Sequence, residues 1–120
     1  MNKTEIKKAK VKAGLTFLEQ NFGAIADAGG GSNYYIVLTS NGEQFTGQFS
    51  RRDFTVTLND SIGLSGPGWS KEEIAHQAAA VQLEDDINEE LEALMEDVES
   101  QAFMLTIDEA MGFRPNALNS

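Results

Sequence analysis

Cysteine is absent from this 120-residue chain, histidine occurs once, and the longest apolar runs are short. Without cysteine there is no disulfide, no thiolate nucleophile and no cysteine-based zinc site. With His76 alone, paired-histidine metal motifs such as HExxH are excluded. No segment approaches the roughly 20 apolar residues of a membrane span. The start, MNKTEIKKAKVKAGLTF, lacks the apolar stretch of a signal peptide. These absences lead to the expectation of a soluble, cytoplasmic chain without metal or cofactor. Serines are common, but none sits in a pattern that supplies a base and an orienting third group. The expectation is therefore a protein that is not an enzyme.

One further absence says more. Residues 72–113 contain no lysine or arginine, yet they carry thirteen carboxylates. At the other end, Lys3, Lys7, Lys8, Lys10 and Lys12 face only Glu5, a local charge of +4 in a chain whose net charge is −10. The negative field disfavours nucleic acid and anionic membranes and favours basic partners.

The 41% aliphatic and aromatic content is that of a globular chain, and 120 residues suit one domain with a core of its own. Residues 1–28 read as a basic helical segment. Val11, Leu15, Leu18, Phe22 and Ile25 recur at threes and fours along it. Gly14 weakens this helix, and Gly23 followed by Gly29-Gly30-Gly31-Ser32 ends it.

Residues 33–59 read as three strands. Tyr34, Ile36 and Leu38 alternate with Tyr35, Val37 and Thr39, and Asn41-Gly42 is a strong two-residue hairpin signal. Phe45, Gly47 and Phe49 follow, then a turn near Arg51-Arg52, then Phe54, Val56 and Leu58. The result is an antiparallel meander with one apolar face.

The second helix, residues 70–99, has a well-marked start. Ser70 and Glu73 form a capping box, and Trp69 and Ile74 are placed as a hydrophobic staple. Ala80, Leu83, Ile87, Leu91, Leu94 and Val98 give its apolar stripe. Residues 100–120 form a short element and tail. Phe103, Leu105 and Ile107 alternate as a strand would, whereas Thr106 and Glu109 would cap a helix ending at Gly112. The predicted fold is α+β, in the order α-β-β-β-α, with both helices on one face of a three-stranded sheet. This order resembles the double-stranded RNA-binding domain in topology. Those modules turn a lysine-rich second helix toward phosphates. Here that helix is acidic, so the arrangement is expected without the activity.

His76 lies beside the apolar stripe and is expected to be a partly buried structural residue. The segments GGGS and GLSGPG lack the lysine and hydroxyl of a phosphate-binding loop and read as loop punctuation. The carboxylates carry the functional expectation. Glu84, Asp85, Asp86, Glu89, Glu90, Glu92 and Glu96 crowd one helix. Pairs such as Asp85–Glu89 and Glu92–Glu96, four residues apart, each cost about 0.2–0.5 kcal/mol. A merely solvated face would intersperse lysines.

The expected function is a binding protein that engages a basic, nucleic-acid-handling protein, in the manner of a phage-encoded antagonist of CRISPR or restriction systems. Eleven carboxylates over residues 72–99 span ~42 Å, about one per 4 Å. Duplex DNA carries one per ~1.7 Å. Mimicry of DNA would thus need two helices side by side, and a homodimer is expected, with the lysines of one chain against the acidic helix of the other. The alternatives are an oligomeric small-nucleotide binder that uses Arg51, Arg52, Tyr34, Tyr35 and Arg114, and a structural or assembly protein.

Overall fold

A computed structural model describes residues 2–29, 31–61 and 68–110, with side chains within the last helix described to Met104. Helix α1 (Lys3–Phe22) starts on Asn2, whose side chain accepts a hydrogen bond from Glu5 N at 2.8 Å, and stops at a left-handed cap, Gly23. Four strands follow, β1 (Ile25–Ala28), β2 (Asn33–Ser40), β3 (Glu43–Ser50) and β4 (Val56–Leu58). They form an antiparallel sheet in sequence order. A 3-10 turn at Asn59–Ser61 precedes helix α2 (Lys71–Ala110).

The α+β class and the meander agree with the sequence, and the structure adds a fourth strand. Ile25 leaves the helical stripe and is 70% exposed in β1. All four β1 residues are exposed, so no alternation marks them. Their role is to supply backbone partners to the outer edge of β2, with Ile25 opposite Val37 and Ala28 opposite Tyr34.

The hairpin between β2 and β3 is as expected, with Asn41 and Gly42 both at positive φ. Phe54 was expected in the last strand. It instead adopts a φ of 59° in the tight β3–β4 link, where Phe54 N donates to Ser50 O. A bulky residue there costs about 1–3 kcal/mol.

The core lies between the sheet and both helices. Ile36, Leu38, Phe45, Phe49, Val56 and Leu58 meet Leu18 of α1 and Ala80, Ile87, Leu91 and Met95 of α2. The capping box forms, with Glu73 N donating to Ser70 Oγ at 3.1 Å and Ser70 N to Glu73 Oε1 at 3.4 Å. Residues 100–110 are helical rather than extended. Ala102, one turn beyond Val98, is buried and prolongs the apolar stripe, which outweighs the alternation of Phe103 and Leu105. At 40 residues, α2 is ~60 Å long. It overhangs the sheet, leaving Phe103 and Met104 on the surface.

Gly14 has a packing reason. A Cβ there would lie 2.6 Å from Cζ of the fully buried Phe49 ring. Alanine would favour the helix by about 1 kcal/mol, but crowding a buried ring costs about 1–3 kcal/mol. Gly14→Ala should therefore lower the urea midpoint; a raised midpoint would show that the ring yields freely.

Candidate functional site

The carboxylates of α2 divide into groups with different work. Glu84 faces the sheet. Its Oε1 accepts from Leu58 N and from Ser61 Oγ, both at 2.7 Å. One turn on, Asn88 accepts from Val56 N at 2.7 Å and donates to Val56 O at 2.9 Å. These two side chains satisfy the free edge of β4. Glu84, expected among the partner-binding carboxylates, thus has its Oε1 engaged in holding the fold.

Asp85, Glu89, Glu92, Glu96 and Glu99 recur at intervals of four, three, four and three. This places them on one line along the helix. Four of these, Asp85, Glu89, Glu92 and Glu96, make no ion pair or side-chain hydrogen bond among the described residues. Asp53 of the β3–β4 link faces them across a groove of about 510 Å³, floored by Asn88 and Met95. Phe103, 64% exposed, falls four residues after Glu99 and continues the same line. Asp86 and Glu90 lie on a neighbouring line. Asp86 accepts from Gln82 Nε2 at 2.9 Å. Among the described residues, no group of three or more His, Asp or Glu side chains is arranged to hold a metal ion, and no helix is long and apolar enough to cross a membrane.

Lys10 bounds this groove. Its side chain is only 12% exposed; its ammonium pairs with Glu99 and lies 5.1 Å from the centroid of the Phe54 ring. The attraction between the lysine arm and the acidic helix, expected between two chains, is therefore used in part within one. The packing of Lys10 also gives the strained Phe54 ring a partner.

On the far side of Lys10 the charge reverses. Lys7, Lys8 and Lys12 of α1 line a cleft of about 620 Å³ with Tyr34 and Arg51. The Arg51 guanidinium lies 4.5 Å over the Tyr34 ring, and its backbone N–H donates to Ser32 O at 2.9 Å. Its Nε is enclosed and has no acceptor among the described residues. An unmet buried donor costs about 1–3 kcal/mol. The suggested arginine–tyrosine cluster is thus half assembled. Tyr35 lies on the opposite face of β2, 56% exposed, and Arg52 does not line the cleft. Arg114 lies outside the described residues, as do most of the GLSGPG loop and the tail. The lysines were missed as partners of Arg51. The four-residue spacing of Lys8 and Lys12 on α1 marks a shared face, but nothing local shows that Arg51 meets it.

His76 joins α2 to two other elements. Its ring stacks on Phe45 at 4.6 Å, Nε2 is 2.6 Å from Asp60 Oδ2, and Nδ1 is 3.0 Å from Glu43 Oε2. It is a structural residue, as expected, but half-exposed and clasped by acids. An adjoining cavity of about 480 Å³ also presents Trp69, Glu72 and Glu73.

No family model matches the chain, and no curated protein or solved structure is detectably similar to it.

The hydrogen bonds to Asp60 and then Glu43 raise the His76 pKa above its ordinary value, against a smaller opposing effect of desolvation. The resulting stabilisation is complete below about pH 6.5 and is lost as pH rises through the raised value. Glu43, Asp60, Glu72 and Glu73 are the charged groups around the ring. Between about pH 6 and pH 8, wild type should lose more melting temperature than His76→Gln; parallel curves would contradict the clasp.

Proposed function

We propose that the protein is non-catalytic and acts by engaging a basic protein surface through the acidic line of α2. The observation that carries this is the continuous row Asp85, Glu89, Glu92 and Glu96, left without cations, ending near the exposed Phe103. Carboxylates in a row select a partner by charge and speed its approach. An exposed aromatic at the end of the row supplies the apolar anchor that charge alone lacks. Keeping these charges together costs the helix repulsion that interspersed lysines would remove.

The partner class follows from the charge. A surface built to hold nucleic acid is basic and extended, so an acidic helix can occupy it and block it. This is the mode of an antagonist of a nucleic-acid-handling complex, with phage-encoded inhibitors of CRISPR or restriction systems as the model. From Asp85 to Glu99 the row places five carboxylates over ~21 Å, one per ~5 Å, with the last of them paired to Lys10. This is sparser than duplex DNA. Blocking a groove is therefore favoured over full DNA mimicry, unless two copies align their rows. Asp86 and Glu90 would sit at the margin of such an interface.

A tagged full-length chain should capture a basic protein from host lysate, and capture should weaken with salt, because exposed charges are screened over ~8 Å at physiological ionic strength. Glu89→Lys/Glu92→Lys/Glu96→Lys should abolish capture, Phe103→Ala should weaken it, and Glu90→Lys should have a small effect. Capture that survives the triple reversal would overturn the proposal.

A further inference from the structure

We propose a second binding site, in the cleft between α1 and the β3–β4 turn, for a small phosphorylated molecule with two or more negative charges. This site is independent of the acidic row on α2.

The first support is the distribution of charge. Lys7, Lys8, Lys12 and Arg51 line one cleft of a chain whose net charge is −10, with Glu19 as the only carboxylate among its described lining residues. Among the described residues none of these four cations forms an ion pair. Lys10, on the same helix, does. Carboxylates abound in this protein, yet the cleft does not use them.

The second support is Arg51. Its backbone is fixed to Ser32, and its guanidinium rests on Tyr34, so it is held in place without a counter-ion. Its Nε is buried and meets no protein acceptor among the described residues. Guanidinium binds phosphate through two parallel N–H donors, one of which is commonly Nε. A small turn of the side chain into the cleft would present that edge and satisfy the orphan donor. The lysines would act as point charges on the remaining oxygens.

The third support is shape. A volume of about 620 Å³ falls within the range of small-molecule pockets. Val11 and Leu15 give it an apolar wall, and the Tyr34 ring gives it a flat one. This leaves room for an organic portion beside the phosphate. A long polyanion is disfavoured, because it would run from the cleft across Lys10 to the carboxylates of α2.

The test is titration calorimetry of the full chain, in a phosphate-free, low-salt buffer, with pyrophosphate, ATP and adenosine. Pyrophosphate and ATP should bind and adenosine should not. Tighter binding of ATP than of pyrophosphate would assign the apolar wall to the nucleoside; equal binding would assign the site to the phosphates alone. Lys8→Gln/Lys12→Gln changes two exposed side chains and should weaken binding at least about tenfold with the fold intact. Arg51→Lys keeps the charge but loses the planar fork, and should weaken it similarly. Failure of both phosphate compounds to bind at millimolar concentration would overturn the proposal, as would unchanged binding by the lysine variant. So would a salt-sensitive wild-type dimer that Lys8→Gln/Lys12→Gln converts to monomer without affecting phosphate binding, since the cleft would then hold carboxylates of a second copy. The Glu89→Lys/Glu92→Lys/Glu96→Lys variant should retain phosphate binding, which separates this site from the acidic row.

Discussion

The structure depends on how α2 meets the short edge strand β4. That strand has three residues, and among the described residues its outer edge has no neighbouring strand. Glu84 and Asn88 replace one. Residues four apart on a helix rise ~6 Å, close to the ~6.6 Å between alternate residues of a strand. The two side chains can therefore reach Leu58 and Val56 together. The contact satisfies edge groups that would otherwise invite another chain. It also sets the rotation of α2. With Glu84, Asn88, Leu91 and Met95 turned inward, the line through Asp85, Glu89, Glu92 and Glu96 must flank the sheet and face solvent. One docking contact thus fixes which carboxylates serve the fold and which are free.

Lys10 performs a comparable division on the other helix. By pairing with Glu99 and packing on Phe54 it joins α1 to α2 and to the β3–β4 link. Both of its partners line the acidic groove, and Lys10 is not among the residues that line the basic cleft. The remaining lysines are left with Arg51 and Tyr34 rather than with the carboxylates of α2.

Much of the fold was legible in the sequence because its signals are local. The capping box at Ser70, the Asn41-Gly42 turn and the alternations of β2 and β3 depend on residues within a few positions of one another. The misses were of two kinds. The residues of β1 are all exposed, so no apolar period marks it, and the apolarity of Phe54 fits the strand alternation although its backbone does not. The end of α2 was hidden because Phe103, Leu105 and Ile107 imitate a strand while the buried Ala102 is a weak apolar signal. At the candidate sites, the acidic helix was evident from the absence of lysine. That Glu84 differs from its neighbours was not, because its partners Leu58 and Ser61 lie more than twenty residues away. Arg51 and Tyr34 were recognisable as a pair, whereas their meeting with the α1 lysines is a tertiary fact.

The central claim is that adjacent carboxylates of α2 differ in what they do for the fold: Glu84 holds the β4 edge, whereas the row from Asp85 to Glu96 contributes no stabilising contact among the described residues. Urea denaturation of two variants tests it most directly. Glu84→Ala should lower stability by about 1–3 kcal/mol, the cost of leaving buried donors unmet. Glu89→Lys/Glu92→Lys/Glu96→Lys should unfold at or above the wild-type midpoint, because it removes like-charge repulsion along the helix. A triple variant as destabilised as Glu84→Ala, or a Glu84→Ala as stable as wild type, would contradict the division.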